Sequence, residues 1–508
     1  MMPRSATDPA PASAPSSETD FAARYDVIIV GAGVAGCALA QALAQADVEG
    51  RRSILVLDLH REVSPRFSGE FIHPRGATVL DALGFMPALL EAGAVEVDGF
   101  VVREHADTDE PVRLDYASVP NERARGVSVH HKRLVRCMRQ LAAENPQVSL
   151  RTPWRVTDVL TQPAKARNAR DARIWGVVAK GPGGRVVELR ADLVVAADGK
   201  ASSVRKFAGI PDARRNLGFT AGLEVADAAQ SNPLHANVYL GGPGPMLCYP
   251  IIREADGTLV SRLTFDLPKD LPAKGRELAP YLLETFVPHL PERLAGQVAA
   301  ALEAQAALGP VEMAPTFDLP APPATAPGLA LVGDAAGCSH PITASGMTMG
   351  LLDAHYLALE ASRRASVAAD EAWLDDRALR NFRVEHERYV PTRQALADAI
   401  FEAFRGEDNG ARGIRRALFH YWRSGERQRV RSLALLSCAE RRPHVFLSEY
   451  LKTARHVVGS NMTPRHAEHF PVRDRLRQVH GAVGLAGTKV GLVASVAWSQ
   501  LRPTWLTA

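Results

Sequence analysis

The chain has 508 residues, 46% hydrophobic and 23% charged, with a formal net charge of +4, enough for two or three domains with full cores. So slight a basic excess gives no reason to expect a nucleic-acid partner. Its five cysteines (Cys37, Cys137, Cys248, Cys338, Cys438) are scattered without a C-x-x-C pair, which argues against a metal site or a disulfide framework and makes a reducing cytoplasm the expected compartment.

Residues 1–21, rich in Pro, Ala and Ser and lacking the apolar core of a signal peptide, read as a disordered tail. Val27 to Val30 form an apolar β-branched run, the pattern of a strand buried on both faces. Gly31, Ala32, Gly33, Val34, Ala35 and Gly36 follow. Their three glycines give a tight turn, close backbone approach to a pyrophosphate, and close helix–strand packing. An alanine-rich helix comes next, then a second strand ending in Asp58, about twenty residues past the glycines, where a ribose-binding carboxylate is expected.

Gly69-Glu70, with His73, Pro74 and Gly76, leads into a helix ending near Gly84, and residues 94–115 look like strand and turn. Val129 to Ala142 reads as a helix with Leu134, Met138 and Leu141 on one face. His130 and His131 point about 100° apart on it and do not share a metal. An apolar strand from Ala191 closes in Asp198-Gly199, with Ser202 and Ser203 placed to cap a helix. Alternating segments at Asn237–Leu240, Met246–Tyr249 and Leu259–Phe265 suggest a separate sheet.

A Pro/Ala-rich stretch, Ala314 to Pro327, returns the chain to the first domain. The apolar strand from Leu329 then ends in Gly333-Asp334, a loop turns at His340-Pro341, and a helix starts around Gly346 and Gly350. Asp334 suits a hydrogen bond from a sugar-like hydroxyl, and the helix-start N–H groups suit an electron-rich ring edge or a phosphate. That is the chemistry of flavin binding. Beyond about residue 380 the pattern is helical, with a basic band of Arg412, Arg415, Arg416, Arg423, Arg427, Arg429 and Arg431. The band reads as a solvated face or as a platform on a membrane surface. Gly481 to Leu501 is apolar but interrupted by Lys489 and glycines, so it reads as a buried or membrane-surface helix rather than a crossing one.

These elements predict an α/β fold. A Rossmann-like FAD-binding domain takes residues 22–212 and 325–380, an inserted β-sheet substrate domain takes 213–324, and a helical C-terminal region takes 381–508.

Three motifs stand in order: the Gly31–Gly36 turn, Asp198-Gly199 with Ser202, Ser203, Val204 and Arg205, and Gly333-Asp334. Together they resemble the FAD-dependent monooxygenases of the para-hydroxybenzoate hydroxylase fold. Within that group the chain is most similar to the squalene epoxidases. The segments that carry this are Gly69-Glu70 with Pro74 and Gly76, Arg123 to Arg133, and His340-Pro341-Ile342-Thr343 followed by Gly346-Met347-Thr348. The likeness covers nearly the whole chain after the tail. Ser339 stands where squalene epoxidases usually have Arg, Ala344-Ser345-Gly346 where they have a glycine triplet, and His73-Pro74-Arg75-Gly76-Ala77 where they have Gln-Pro-Gly-Gly-Tyr. These departures leave the flavin chemistry intact and leave squalene itself open.

The resemblance implies FAD, O2 and a small apolar substrate. A flavin C4a-hydroperoxide would pass one oxygen atom to an isoprenoid or polyene, by epoxidation or hydroxylation. The alternatives are hydroxylation of a phenolic or polyketide ring and, further off, reduction of an isoprenoid double bond. NADPH or NADH would supply electrons, directly or through a reductase partner, since no second nucleotide motif appears. Gly31, Gly33 and Gly36, with Ala32, Val34 and Ala35 between them, would meet the pyrophosphate and Asp58 the adenosine ribose. Asp334 would take ribityl or pyrophosphate oxygens, and Arg133 would lie near the phosphates or ribityl chain. Asp198-Gly199 would line the cleft, and Gly346 and Met347 would offer N–H groups to the flavin O2 and N1 edge. The cofactor carries the hard chemistry, so a protein acid or base is not required; His340 and Glu70 are the catalytic candidates.

Overall fold

The computed structural model describes residues 21–461 apart from 64–68, 105–109, 163–171 and 407, together with Arg477. Residues 1–20 of the expected tail and the apolar stretch Gly481 to Leu501 lie outside the described residues.

The first sheet is built on five parallel strands in the spatial order Leu329–Leu331, Val186–Ala196, Arg24–Val30, Ile54–Leu57, Val148–Arg151. Arg24–Val30 is central and covered on both faces, which is why its Val-Ile-Ile-Val run is buried without alternation. On one face lie the helices Val34–Ala46 and Gly346–Arg363, packed together through small residues. On the other, Trp154 and the antiparallel pair Arg155–Thr161 and Ile174–Lys180 complete a second core. Parallel pairing brings the carboxyl ends at Val30, Ala196 and Leu331 side by side, the edge where open parallel sheets take ligands.

The second sheet has seven strands, ordered Glu312–Asp318, Arg215–Ala226, Leu259–Leu267, Met246–Arg253, His235–Tyr239, Gly99–Arg103, Val112–Asp115. The last two come from inside the 22–212 segment assigned above to the FAD-binding domain. Gly99–Arg103 pairs in parallel with His235–Tyr239, so the chain enters this sheet twice. Phe100, Val101 and Val102 are all buried; such a run reads alike in either sheet. A small third sheet, Phe71–Ile72, Gly126–Ser128 and Val95–Val97, bridges the two larger ones.

The helices Asp376–Arg405, Asn409–Arg423, Glu426–Leu436 and Pro443–Asn461 close the structure. Phe404, Phe419 and Trp422 from these helices join Phe100 and Val238 of the second sheet in one apolar cluster. Much of the arginine band is tied into the fold. Arg415, Arg423 and Arg429 donate to the carbonyls of Ala403 and Gly406, of Glu110, and of Trp422, while Arg431 pairs with Glu449. No helix among the described residues is long and apolar enough to cross a membrane.

Candidate cofactor and active site

The three glycines of the first turn do different work. Gly31 has φ +107°, and a Cβ there would lie 2.4 Å from the Ala197 carbonyl oxygen. At Gly36 a Cβ would lie 1.9 Å from the Gly31 carbonyl oxygen. Both glycines therefore let the helix start nest against the strand ends. Around Gly33 no neighbouring atom among the described residues lies within 4 Å of the same position, and its φ of −85° suits any residue. That glycine keeps space open rather than relieving strain. The helix Val34–Ala46 has no side-chain cap at Gly33, so the first-turn N–H groups of Val34, Ala35 and Gly36 point out of the helix into that space. The opening fits a pyrophosphate.

Asp58 belongs to this turn. Its Oδ2 accepts from Ala32 N–H at 2.7 Å, and its Oδ1 accepts from His60 N–H. Arg139 closes the group: its guanidinium lies 3.1 Å from Asp58 and donates to the carbonyls of Ala32 and His60. Arg133, expected here, sits elsewhere. It donates to the Ala92 carbonyl and pairs with Glu254 at 3.1 Å. The two arginines share the helix His131–Glu144 but leave it on different faces.

The Gly333-Asp334 turn packs directly on this site. Gly333 has φ +59°, and a Cβ on it would come within 3.0 Å of Ala35 Cβ; one on Gly350 would come within 3.1 Å of the same atom. Gly333 N–H donates to Asp353 Oδ2 at 2.8 Å, and Asp353 Oδ1 takes His386 Nδ1 at 2.7 Å and the Tyr389 hydroxyl. All three partners are buried. Burial alone would lower the His386 imidazolium, but the Asp353 carboxylate outweighs it and the net shift is upward. The sequence reading missed this network; an acid amid Leu351, Leu352 and Ala354 was the available signal.

Asp334 opens onto the cleft, and a Cβ on Gly346 would lie 3.6 Å from its Oδ1. Although accessible from the cleft, its carboxyl is held above the usual range because the surrounding walls withhold water, against the pull of Lys200. Asp198 caps the helix Ser203–Phe207, accepting from Ser203 and Val204 N–H, while its Oδ1 is left buried without a hydrogen-bond partner among the described residues. Burial raises the Asp198 carboxyl despite those bonds. The buried Arg205 donates to the carbonyls of Ala335 and Lys200, which ties the Asp198-Gly199 segment to the Gly333-Asp334 turn.

Both catalytic candidates are buried beside a charged side chain. Glu70 is buried and bound through both oxygens to Arg262, at 2.9 and 2.8 Å. The pair joins the third sheet to the second. His340 is buried and tilted over Phe401, with ring centroids 4.3 Å apart. Its Nδ1 accepts from Ile342 N–H, and its Nε2 faces Asp266 at 3.5 Å. It shapes the loop. Gly69 and Met347 are close neighbours across the cleft, since a Cβ on Gly69 would lie 3.8 Å from Met347 Cε.

Residues 190–473 match the family model for squalene epoxidase, and residues 24–245 match an FAD binding domain. The chain belongs to the squalene epoxidase family. It is 30% identical over 408 residues to the squalene epoxidase erg1 of Aspergillus fumigatus, with 79% of each protein covered. It is 29% identical to the squalene monooxygenase of Mus musculus, covering 87% of this chain and 73% of that relative. Among solved structures, pqsL of Pseudomonas aeruginosa, a probable FAD-dependent monooxygenase, has a TM-score of 0.58 at 24% identity, covering 75% of this chain and 97% of its own. The flavin-dependent brominase Bmp2 reaches 0.63 at 17% identity, covering 85% and 99%. These structures share the fold.

In this squalene epoxidase family member, an FAD-dependent monooxygenase, two of the departures noted above fall on the loop around His340–Ser345 and the third at the start of the helix Pro74–Ala82, packed against it. Ala344 has φ +50°, a left-handed conformation that a glycine would hold with less strain. The Ser339 hydroxyl is buried without a hydrogen-bond partner among the described residues. His73 is fully buried, with its backbone N–H on Thr348 Oγ1, Nε2 2.8 Å from the Thr343 carbonyl and Nδ1 2.6 Å from the Tyr116 hydroxyl.

Proposed function

We propose that this monooxygenase inserts one oxygen atom of O2 into an apolar isoprenoid or polyene, by epoxidation or hydroxylation. The observation that supports this most is a single apolar cluster. It runs from Ile342 and Ala344 on the cleft loop, through Phe71 and Phe100, to Phe404 and Trp422 of the C-terminal helices. Beside this cluster His73 and Tyr116 satisfy each other through a hydrogen bond. Squalene is the substrate in the relatives' names, and the changes at Ser339 and Ala344 lie on the loop nearest the reacting centre.

The pyrophosphate of FAD takes the opening at Gly33 and the N–H groups of Val34 to Gly36. Asp58 and Arg139 hold the adenosine side, and Asp334 takes ribityl or pyrophosphate oxygens. Gly346 and Met347, at an uncapped helix start, direct N–H groups at the electron-rich ring edge and favour negative charge there. Bound flavin supplies oxygen activation; the chain's residues bind it, orient it and keep the site dry. NADPH or NADH provides electrons, directly or through a reductase. The C-terminal region rests peripherally on a membrane and draws an oily substrate from it. Liposome pelleting of the full chain tests that last point, with no binding counting against it.

The main test is O2 uptake by the FAD-loaded protein with NADH or NADPH, across squalene, shorter polyenes and phenols. Substrate-dependent uptake with an oxygenated polyene as product is the expected result. Turnover confined to phenols would overturn the reading.

A further inference from the structure

His73 stands out among the buried titratable groups because it is tied to the loop that carries Gly346 and Met347. A carbonyl oxygen only accepts, so the contact at Thr343 places the proton on Nε2. In the neutral ring Nδ1 is then the acceptor, and the Tyr116 hydroxyl donates to it. Both nitrogens are committed. A residue held in this way does not shuttle protons.

What it holds is the peptide between Thr343 and Ala344. That peptide enters the left-handed turn at Ala344, and the chain reverses there to begin the helix at Gly346. The Thr343 and Ser345 hydroxyls bond across the turn at 2.9 Å, and His73 N–H holds Thr348 one turn further on. The strained residue is thus clamped on both sides, and two of the clamps come from His73. Tyr116, from the 3-10 turn Tyr116–Ser118 after the edge strand of the second sheet, fixes the ring from behind.

We propose that His73 and Tyr116 are positioning residues that fix the Thr343–Ala344 peptide and thereby aim the Gly346 and Met347 N–H groups at the flavin. Tyr116 lies in the apolar cluster named above, so the pair also couples that face of the second sheet to the cofactor loop. The proposal rests on FAD as cofactor.

The test uses the full chain as wild type, His73→Leu, His73→Gln and Tyr116→Phe. Three quantities are measured: FAD dissociation constant, the visible circular dichroism of bound flavin, and its reduction potential. His73→Leu is expected to weaken FAD about five- to tenfold, the effect of one net hydrogen bond, and to change the dichroism and potential. His73→Gln keeps an N–H for the Thr343 carbonyl and is expected to return both signals to within about twofold of wild-type behaviour. Tyr116→Phe removes a single hydroxyl and should shift the signals in the same direction as His73→Leu; it carries the test if the leucine variant does not fold. A lowered melting temperature with unchanged dichroism and potential in Tyr116→Phe and any folded His73→Leu would show a merely structural role and overturn the proposal. Wild type that takes up no FAD would overturn the cofactor reading instead, and this proposal with it.

Discussion

Exchanging Gly33 and Gly36 for alanine separates a glycine kept for a ligand from one kept for the fold. At Gly36 the new methyl lands 1.9 Å from a backbone carbonyl on the adjoining turn, with Ala197 Cβ at 3.3 Å behind it. Backbone at a buried strand end has nowhere to move, so Gly36→Ala should cost about 3 kcal/mol or more. At Gly33 the methyl meets no neighbouring atom of the described residues within 4 Å, and the extended backbone there accepts alanine. Restricting the unfolded chain then contributes about 0.4–1 kcal/mol in favour of the fold, raising the melting temperature of apoprotein by no more than about 2 °C in a chain of this size.

The same methyl fills the space assigned to the pyrophosphate. Overpacking of that kind costs about 1–3 kcal/mol, or about 5- to 150-fold in FAD affinity. Circular dichroism melting of the apoprotein and titration with FAD give both numbers for both variants. If Gly33→Ala melts like Gly36→Ala, or binds FAD like wild type, the assignment of that opening is wrong.

Arg139→Ala should weaken FAD binding by several-fold through the loss of the Asp58 contact, while Arg133→Ala changes it by less than about twofold; equal effects in titration would count against the placement of either arginine. Breaking the buried pair by Glu70→Gln or Arg262→Met should destabilise by about 3–5 kcal/mol, with the apolar double variant Glu70→Leu, Arg262→Met recovering much of it; activity lost at unchanged melting temperature would restore Glu70 as a catalytic candidate. Ala344→Gly should leave stability unchanged or raise it by up to about 1 kcal/mol, because it relieves a left-handed alanine. For pH, the two buried histidines act oppositely. Burial, aided by the Arg393 guanidinium and opposed by the Thr343 carbonyl, lowers His73 to about 4, so its contribution is present above its unfolded value near 6.5 and fades as pH falls toward 4. His386 is raised, so its contribution is full below about 6.5 and lost as pH climbs through the folded value. Melting curves from pH 4 to 9 should show His386→Gln flattening only the alkaline limb.

The first turn was legible because its chemistry is local: strand, three glycines, helix and acid lie within Val27 to Asp58, and the same holds for Gly333-Asp334. What escaped lies in contacts between distant segments. Arg133 and Arg139 are six residues apart, about 240° around a helix, and no pattern says which faces Ala32. Asp353 meets His386 and Tyr389 across two helices. The strands at Gly99–Arg103 and Val112–Asp115 carry no turn signature that would give away which sheet they join, so the domain boundary drawn from sequence was too simple.

The distribution of partners around the cleft says what kind of catalyst this is. Glu70 is bound by Arg262, His73 by Thr343 and Tyr116, and Asp353 by Gly333, His386 and Tyr389. A side chain bound in this way is held in one place, which makes it a good support for its neighbours. The groups left open are of another sort: the Asp334 carboxylate and the helix-start N–H groups beside Gly33 and Gly346. They suit hydroxyls, phosphates and an electron-rich ring edge. On the function proposed above, such a frame would leave the reactive chemistry to the flavin, with the apolar cluster selecting the substrate.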